Sequence, residues 1–357
     1  MEFTGRVAAI ALAFGATVFV HEAGHFLAAR LAGMAVHEFS IGFGRPVLFA
    51  FQRGETKYSL RLWPFFSFVR IAGMEPGDEH HPRGFPTKSR PVQAFVLITG
   101  CIMNFLLAVI IYIFMGAAIG MPVALNTIEQ VMPDSPAAQV GLMPGDRLVG
   151  AEGRADLSVA EIRAVIQDHP DKPLALEIER KGERRTLTIT PRTEPALDIQ
   201  GLKLVKVPIG LIGVYFSSRP ERMGIRKSVA AGFTMTYQVI LLNIAGLLAM
   251  LTRTLPAELY GPVGVVHVLY QDAGVDWLAF LSKFALVTVA VGFVNLMPVP
   301  PLDGSRLAIV ALEAIRRKPF DKRKEVVVHF VGFALLLALV VVLTYKDILR
   351  IIATGDG

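Results

Sequence analysis

Long apolar runs alternate with polar stretches along the chain, and the runs set the expected architecture. Residues 7–32 form the first run, long enough as a helix to cross a bilayer core of about 30 Å at about 1.5 Å per residue. Residues 92–119 form the second, 278–297 the third, closed by Pro298, and 326–343 the last. Each predicts a membrane-spanning helix. A fifth run, 229–251, is interrupted by Thr, Gln, Asn and Gly, and a shorter apolar helix is expected at about Ser305 to Ile315. Between the first two runs the period changes. Val47 to Phe51 and Thr56 to Leu62 flank Arg53-Gly54, and Tyr58, Leu60 and Leu62 alternate with Lys57, Ser59 and Arg61. That alternation predicts a β-hairpin, and Ser67 to Ile71 is a candidate further strand. Residues 122–208 are polar, with short strand-like and helix-like stretches, and read as a soluble domain.

Composition sharpens this picture. Hydrophobic residues make up 53% of the 357 and charged residues 18%, against about 25% in soluble domains. Mean hydropathy is +0.51. The net charge of +6 does not call for nucleic acid, because the basic residues gather beside apolar runs as topology signals. The stretch 34–91 carries Arg45, Arg53, Lys57, Arg61, Arg70, Arg83, Lys88 and Arg90, and 316–324 carries Arg316, Arg317, Lys318, Lys322, Arg323 and Lys324. Both are expected on the cytoplasmic side. Four spans leave them on one side; counting 229–251 as a span separates them. That run is therefore expected to lie on the membrane surface or to pack beside the core. The soluble domain and both termini then face outward. Cys101 has no second cysteine to pair with. Arg6 and the apolar run after it resemble a signal peptide, but the run carries charged residues that argue against its removal.

Those residues are His21-Glu22-Ala23-Gly24-His25. On a helix, positions i and i+4 share a face, so both imidazoles can reach one zinc ion, with Glu22 beside them as a general base. A chance match on a salt-bridged helix is the alternative. Three ionisable groups within an apolar span, at about 2.5–3.5 kcal/mol each on insertion scales, favour the metal reading. Catalytic zinc needs a third protein ligand and one open position. The best remote candidate is Asp303, in Asn295-Leu296-Met297-Pro298-Val299-Pro300-Pro301-Leu302-Asp303-Gly304, where three prolines break the helix. Asp303 as the N-cap of the next helix is an equally open reading.

The His21-Glu22-x-x-His25 motif in a first span, with Asn295-x-x-Pro298-x-x-x-Leu302-Asp303-Gly304 in a late one, resembles the site-2 protease family of intramembrane metalloproteases. It is most similar to the bacterial branch typified by the regulator-of-sigma-E protease. The resemblance implies one zinc per chain held by His21, His25 and Asp303, Glu22 as general base, and Asn295 helping to hold substrate backbone or a developing oxyanion. Ser135-Pro136-Ala137-Ala138 followed by Gly141-Leu142-x-x-Gly145-Asp146 resembles the start of a PDZ domain, and Gly261-Pro262-Val263-Gly264 matches a Gly-Pro element of this branch. Two departures stand out. Residues 122–208 have room for one PDZ domain rather than two, and Pro64-Phe65-Phe66-Ser67-Phe68-Val69 stands where the family often has Pro-x-Gly-Gly-Tyr-Val.

The expected fold is thus a polytopic α-helical membrane protein with four transmembrane helices, a membrane-associated cytoplasmic β-hairpin or sheet, and one inserted α+β PDZ-like domain. Residues 1–121 form an N-terminal membrane core, 122–208 the periplasmic PDZ-like domain, 209–277 a linker and surface helix, and 278–357 a C-terminal membrane core. The expected activity is hydrolysis of peptide bonds within or near transmembrane segments, after a first cut trims the substrate's outer domain. Single-span membrane proteins such as anti-sigma factors or remnant signal peptides are the substrates the resemblance implies, in a bacterial inner membrane, with the active site nearer the cytoplasm. An unwound substrate needs a strand edge to pair with, and the hairpin or the strand at Phe66, Ser67 and Phe68 is the candidate; a hairpin that only packs against the spans is the alternative. Asp78-Glu79-His80-His81 reads as a solvated loop rather than a metal site, and Asn104 and Asn243 as bonds between helices, with guidance of substrate as the alternative. The PDZ-like region binds a peptide terminus or gates access sterically. A metal transporter and an inactive scaffold are rival functions; Glu22 inside the motif and the four intact site residues argue against them.

Overall fold

The computed structural model describes the chain apart from residues 1–2, 76, 79, 201–202, 254–258, 319 and 355–357, and describes only the backbone of 64–66, 196–200, 203–206, 322 and 354. It begins with α1 (Phe3–Leu31), β1 (Val36–Arg53), β2 (Thr56–Ile71) and α2 (Arg90–Phe114). There follow β3 (Met121–Val131), α3 (Pro136–Gln139), β4 (Arg147–Ala151), β5 (Arg154–Ala155), α4 (Val159–Gln167), β6 (Leu174–Arg180), β7 (Glu183–Ile189), β8 (Arg192–Gln200), β9 (Lys203–Leu211) and β10 (Val214–Glu221). The chain ends with α5 (Ile225–Leu251), α6 (Pro262–Asp272), α7 (Trp277–Asn295), α8 (Asp303–Arg316) and α9 (Lys322–Thr354). Two compact units result: residues 1–114, 228–243 and 257–357 form one, and 115–227 with 244–256 the other.

In the first unit α1 packs on α2, and α2 on α7 and α8. Glycine sets how close α1 and α2 come. A Cβ on Gly24 would lie 2.7 Å from the Thr99 carbonyl oxygen and 3.0 Å from the Gly100 Cα, so the helices touch backbone to backbone there. Thr17 and Thr288 bridge α1 to α7, their hydroxyl oxygens 3.2 Å apart.

The sheet of this unit is more folded than two separate strand runs would suggest. β2 is one continuous strand that serves β1 twice. Its Ser67–Arg70 run pairs antiparallel with Glu38–Ile41, while its Lys57–Leu60 run lies on the other side of the same residues and also pairs with Phe49–Gln52. Ser67–Ile71 is consequently an edge. β1 folds back on itself at Gly42 and Gly44, with φ of +91° and +81°, values that only glycine adopts readily. The interior of the sheet is polar: the buried Glu38 carboxylate accepts hydrogen bonds from Ser59 and Arg61, each at 2.8 Å.

The second unit is built on a sheet of order β10-β3-β4-β6-β7, with β5 alongside β4 and a separate β8–β9 hairpin. Leu148, Ile162, Leu174, Leu176 and Ile178 are fully buried in its core. Ser135 caps α3 through the Ala138 N–H, and Ser158 with Glu161 forms a capping box on α4. Asp146 is buried and held by Arg180, whose Nε and Nη2 each donate at 2.7 Å, and by the Met143 N–H at 2.9 Å.

Among the described residues five helices are long and apolar enough to cross a membrane: α1, α2 with the turn after it, α5, α7 and α9. α5 meets that criterion at a mean hydropathy of 1.6, below the 1.8 to 3.0 of the others, so the polar interruptions lower its hydropathy without shortening it. It packs beside α2: a Cβ on Gly232 would lie 2.8 Å from Ile113 and 2.9 Å from the Val109 carbonyl. α9 runs further in both directions than its apolar centre, because Lys and Arg continue a helix without penalty.

Candidate metal centre

α1 carries His21, Glu22 and His25 on consecutive turns, and α8 brings Asp303 to them. His21 Nε2 lies 2.9 Å from Asp303 Oδ2, His25 Nε2 lies 3.0 Å from the same oxygen, and the two imidazole nitrogens are 3.2 Å apart. The rings stand nearly perpendicular, at 84°. Asp303 opens α8 one residue after the N-cap Leu302, and its carboxylate is turned to the histidines rather than to the helix end. The short approach of α8 rests on Gly304, where any Cβ would collide with the Leu296 and Met297 carbonyl oxygens of the preceding turn.

Two imidazole nitrogens and one carboxylate oxygen converging on one point are a donor set that zinc takes in catalytic sites, so these residues fit the ion. Cys101 is also near, with its sulfur within 4.8 Å of ligand atoms of His21 and Asp303. His25 Nε2, at 3.2 Å from His21 Nε2 and 3.0 Å from Asp303 Oδ2, makes His21, His25 and Asp303 a compact set of two imidazoles and one carboxylate. His25 Nδ1 donates to the Val96 carbonyl at 2.8 Å, which fixes the ring with Nε2 facing inward.

Glu22 lies beside this cluster. Its Oε2 accepts the Val69 N–H at 3.0 Å, so the outer edge of β2 faces the metal centre directly. A cavity of about 270 Å³ opens here, lined by Glu22, His25, Phe68, Val69, Ile71, Met74, Pro301, Asp303 and Arg306 among others.

The structure brings together His21, Glu22, His25, Asp303 and Phe68. Ser67 lies in the same edge, its buried hydroxyl without a partner among the described residues. Asn295 ends α7 and is not among the residues lining the cavity. Phe66 has a described backbone but its side chain lies outside the described residues. No motif in the sequence marks Val96, Gly100, the Val69 N–H or Arg306. Backbone groups leave no mark in a motif. Gly100 and Arg306 had weak signals: a glycine in an apolar span, and a cation one turn beyond Asp303. Of the acidic loop, Asp78 pairs with His37 at 2.8 Å and accepts the Gly73 N–H, while Glu79 lies outside the described residues.

Known proteins give an independent line. Residues 9–339 match Peptidase family M50. The chain is 31% identical to the zinc metalloprotease RasP of Geobacillus kaustophilus, over 98% of this chain and 99% of that protein. It is 30% identical to the zinc metalloprotease RasP of Oceanobacillus iheyensis, over 97% and 99%, and 29% identical to the regulator of sigma-W protease RasP of Bacillus subtilis, over 98% and 99%. The chain belongs to peptidase family M50.

Proposed function

We propose that this protein is an intramembrane zinc metalloendopeptidase that hydrolyses peptide bonds within or near the transmembrane segments of other membrane proteins. The observation that carries this reading is the convergence of Asp303, at the start of α8, on His21 and His25 beside Glu22 in α1, a helix long and apolar enough to span a bilayer. His21, His25 and Asp303 hold the ion. Bound zinc supplies Lewis acidity to the scissile carbonyl and to water. Glu22 takes the proton from the attacking water and returns it to the leaving amine.

A substrate helix must unwind before it can be cut, and its freed backbone groups need partners. The edge Ser67–Ile71 offers them: the Val69 N–H already points outward, to Glu22, and alternation along a strand aims the Ser67 N–H the same way. Phe66, Ser67 and Phe68 then contact substrate, and Asn295 steadies its backbone. Arg306 has Met74 Sδ, at 4.0 Å, as its polar neighbour among the described contacts, and it lends the cavity a cation for substrate carbonyls.

In this reading α1, α2, α7 and α9 span the membrane, and α5 lies against α2 without crossing. The basic stretches 34–91 and 316–324 are cytoplasmic, both termini are periplasmic, and the metal centre opens nearer the cytoplasm. The sheet unit from β3 to β10 forms one PDZ-like domain on the periplasmic side, reaching past the expected boundary at 208 because β9 runs to Leu211 and β10 pairs with β3. The Bacillus subtilis relative is a regulator of sigma-W protease, which supports a regulatory protein as substrate. In this reading the substrates are single-span regulators, with remnant signal peptides as a second group, cut after an outer domain has been trimmed.

The test compares the purified wild type with Glu22→Gln on a single-span substrate lacking its outer domain. The expected result is about one zinc in each protein and cleavage by the wild type that falls by about 10²–10⁴ in the variant. Equal cleavage by both would remove Glu22 from the chemistry.

A further inference from the structure

α2 presents Val96, Gly100 and Asn104 to α1, each four residues apart and so on one helical face. The two helices run antiparallel, and the three residues meet the histidines in turn. The Val96 carbonyl takes the His25 Nδ1 proton. A Cβ on Gly100 would collide with His25 Nε2 and lie 2.9 Å from His21 Cε1, so this position makes room for both rings. Asn104 stands opposite His21, with its amide nitrogen 3.4 Å from His21 Nδ1.

Two details at Asn104 resolve each other. The residue is fully buried and its Oδ1 has no hydrogen-bond partner among the described residues. Its Nδ2, a donor, faces a ring nitrogen that is itself a donor whenever His21 Nε2 supplies a lone pair to the metal centre. The two ends of an amide fill the same space and are assigned only from their neighbours. Turning the Asn104 amide through a half-rotation places Oδ1 opposite His21 Nδ1–H. A donor facing a donor becomes a hydrogen bond, and the unpartnered oxygen gains its proton.

We infer that Asn104 is the positioning residue of His21: its side-chain oxygen accepts the Nδ1 proton and holds the ring with Nε2 toward the metal, as the Val96 carbonyl does for His25. The inference rests on the metalloprotease reading of the site. Outer partners of this kind typically contribute about 10–100-fold to metal affinity.

The test uses the full chain in detergent, loaded with zinc, and measures the rate of zinc release to a chelator. Asn104→Leu keeps the volume and removes the acceptor; it is expected to release zinc about 10–100-fold faster, with helix content and melting unchanged. Asn104→Asp keeps an acceptor and is expected to release zinc no faster than the wild type. Release by a folded Asn104→Leu at the wild-type rate overturns the inference. Faster release by Asn104→Asp overturns it too, even where the leucine variant fails to fold. A wild type that binds no zinc overturns the metalloprotease reading together with this one, whereas normal wild-type zinc with an unaffected leucine variant removes Asn104 alone.

Discussion

Asp303 Oδ2 lies 2.9 Å from His21 Nε2 across a chain separation of 282 residues. The contact ties α8 to α1 through a single carboxylate oxygen that also meets His25. In Asp303→Asn the negative charge is lost while size is kept. Zinc affinity is expected to fall by at least about 100-fold, beyond the range of outer partners, because an inner ligand is weakened. Metal analysis after dialysis against a weak chelator checks this. Retention equal to the wild type would exclude Asp303 from the ligand set.

Ser67→Pro removes one outward N–H from the edge of β2 without touching the metal centre, and proline is tolerated on a strand edge. If substrate pairs with this edge, kcat/KM drops about 5–10-fold, the value of one net hydrogen bond, while zinc content holds. Ser67→Ala, which keeps the N–H, is expected to cut like the wild type. A proline variant as active as the alanine variant would leave the edge without a role in catalysis.

The second unit carries a pH dependence of its own. Burial alone would raise the Asp146 carboxyl, but hydrogen bonds from Arg180 and the Met143 N–H outweigh it and hold the group below its ordinary value. A carboxyl depressed in the folded state stabilises fully above its unfolded pKa of about 3.9, and that contribution is lost as pH falls through the folded value. Hydrogen exchange at β4 and β6 is expected to quicken as the pH falls below about 4, after correction for the intrinsic rate. In Asp146→Asn exchange there is expected to be at least about tenfold faster at neutral pH and to lose this acid dependence. An unchanged exchange profile would show that the Arg180 contact contributes nothing.

Gly100→Ala adds one methyl group against His25. Zinc binding should be lost or cut by about 100-fold, as the ring is driven from its position. Gly246→Ala is the control, since a Cβ there has nothing within 4 Å among the described residues. Comparable zinc in both variants would mean that α1 and α2 can separate at little cost.

The apolar helices were legible because a bilayer imposes length and hydropathy on a sequence. His21, Glu22 and His25 were legible because a helix puts i and i+4 on one face. Asp303 stood open between ligand and N-cap, since both uses leave an aspartate at a helix start; the fold turns its carboxylate to the histidines. What the sequence hid lies in backbone. The twofold use of β2 by β1 depends on Gly42 and Gly44 folding the strand, and a strand period cannot reveal which run it will meet. The carbonyl of Val96 and the N–H of Val69 belong to residues whose side chains say nothing of these roles. α5 was ambiguous for another reason: its length fits a span and its polar residues fit a helix packed at the side.

The touching backbones of Gly24 and Gly100 bear on how this site can change over generations. A wall of side chains can be remodelled, because enlarging one residue is offset by shrinking its neighbour. Here neither position has anything left to remove. A lineage that gains a methyl at either place has no compensating substitution across the contact, only reversion. Among genetic suppressors of a damaged metal centre, this wall is where none should arise.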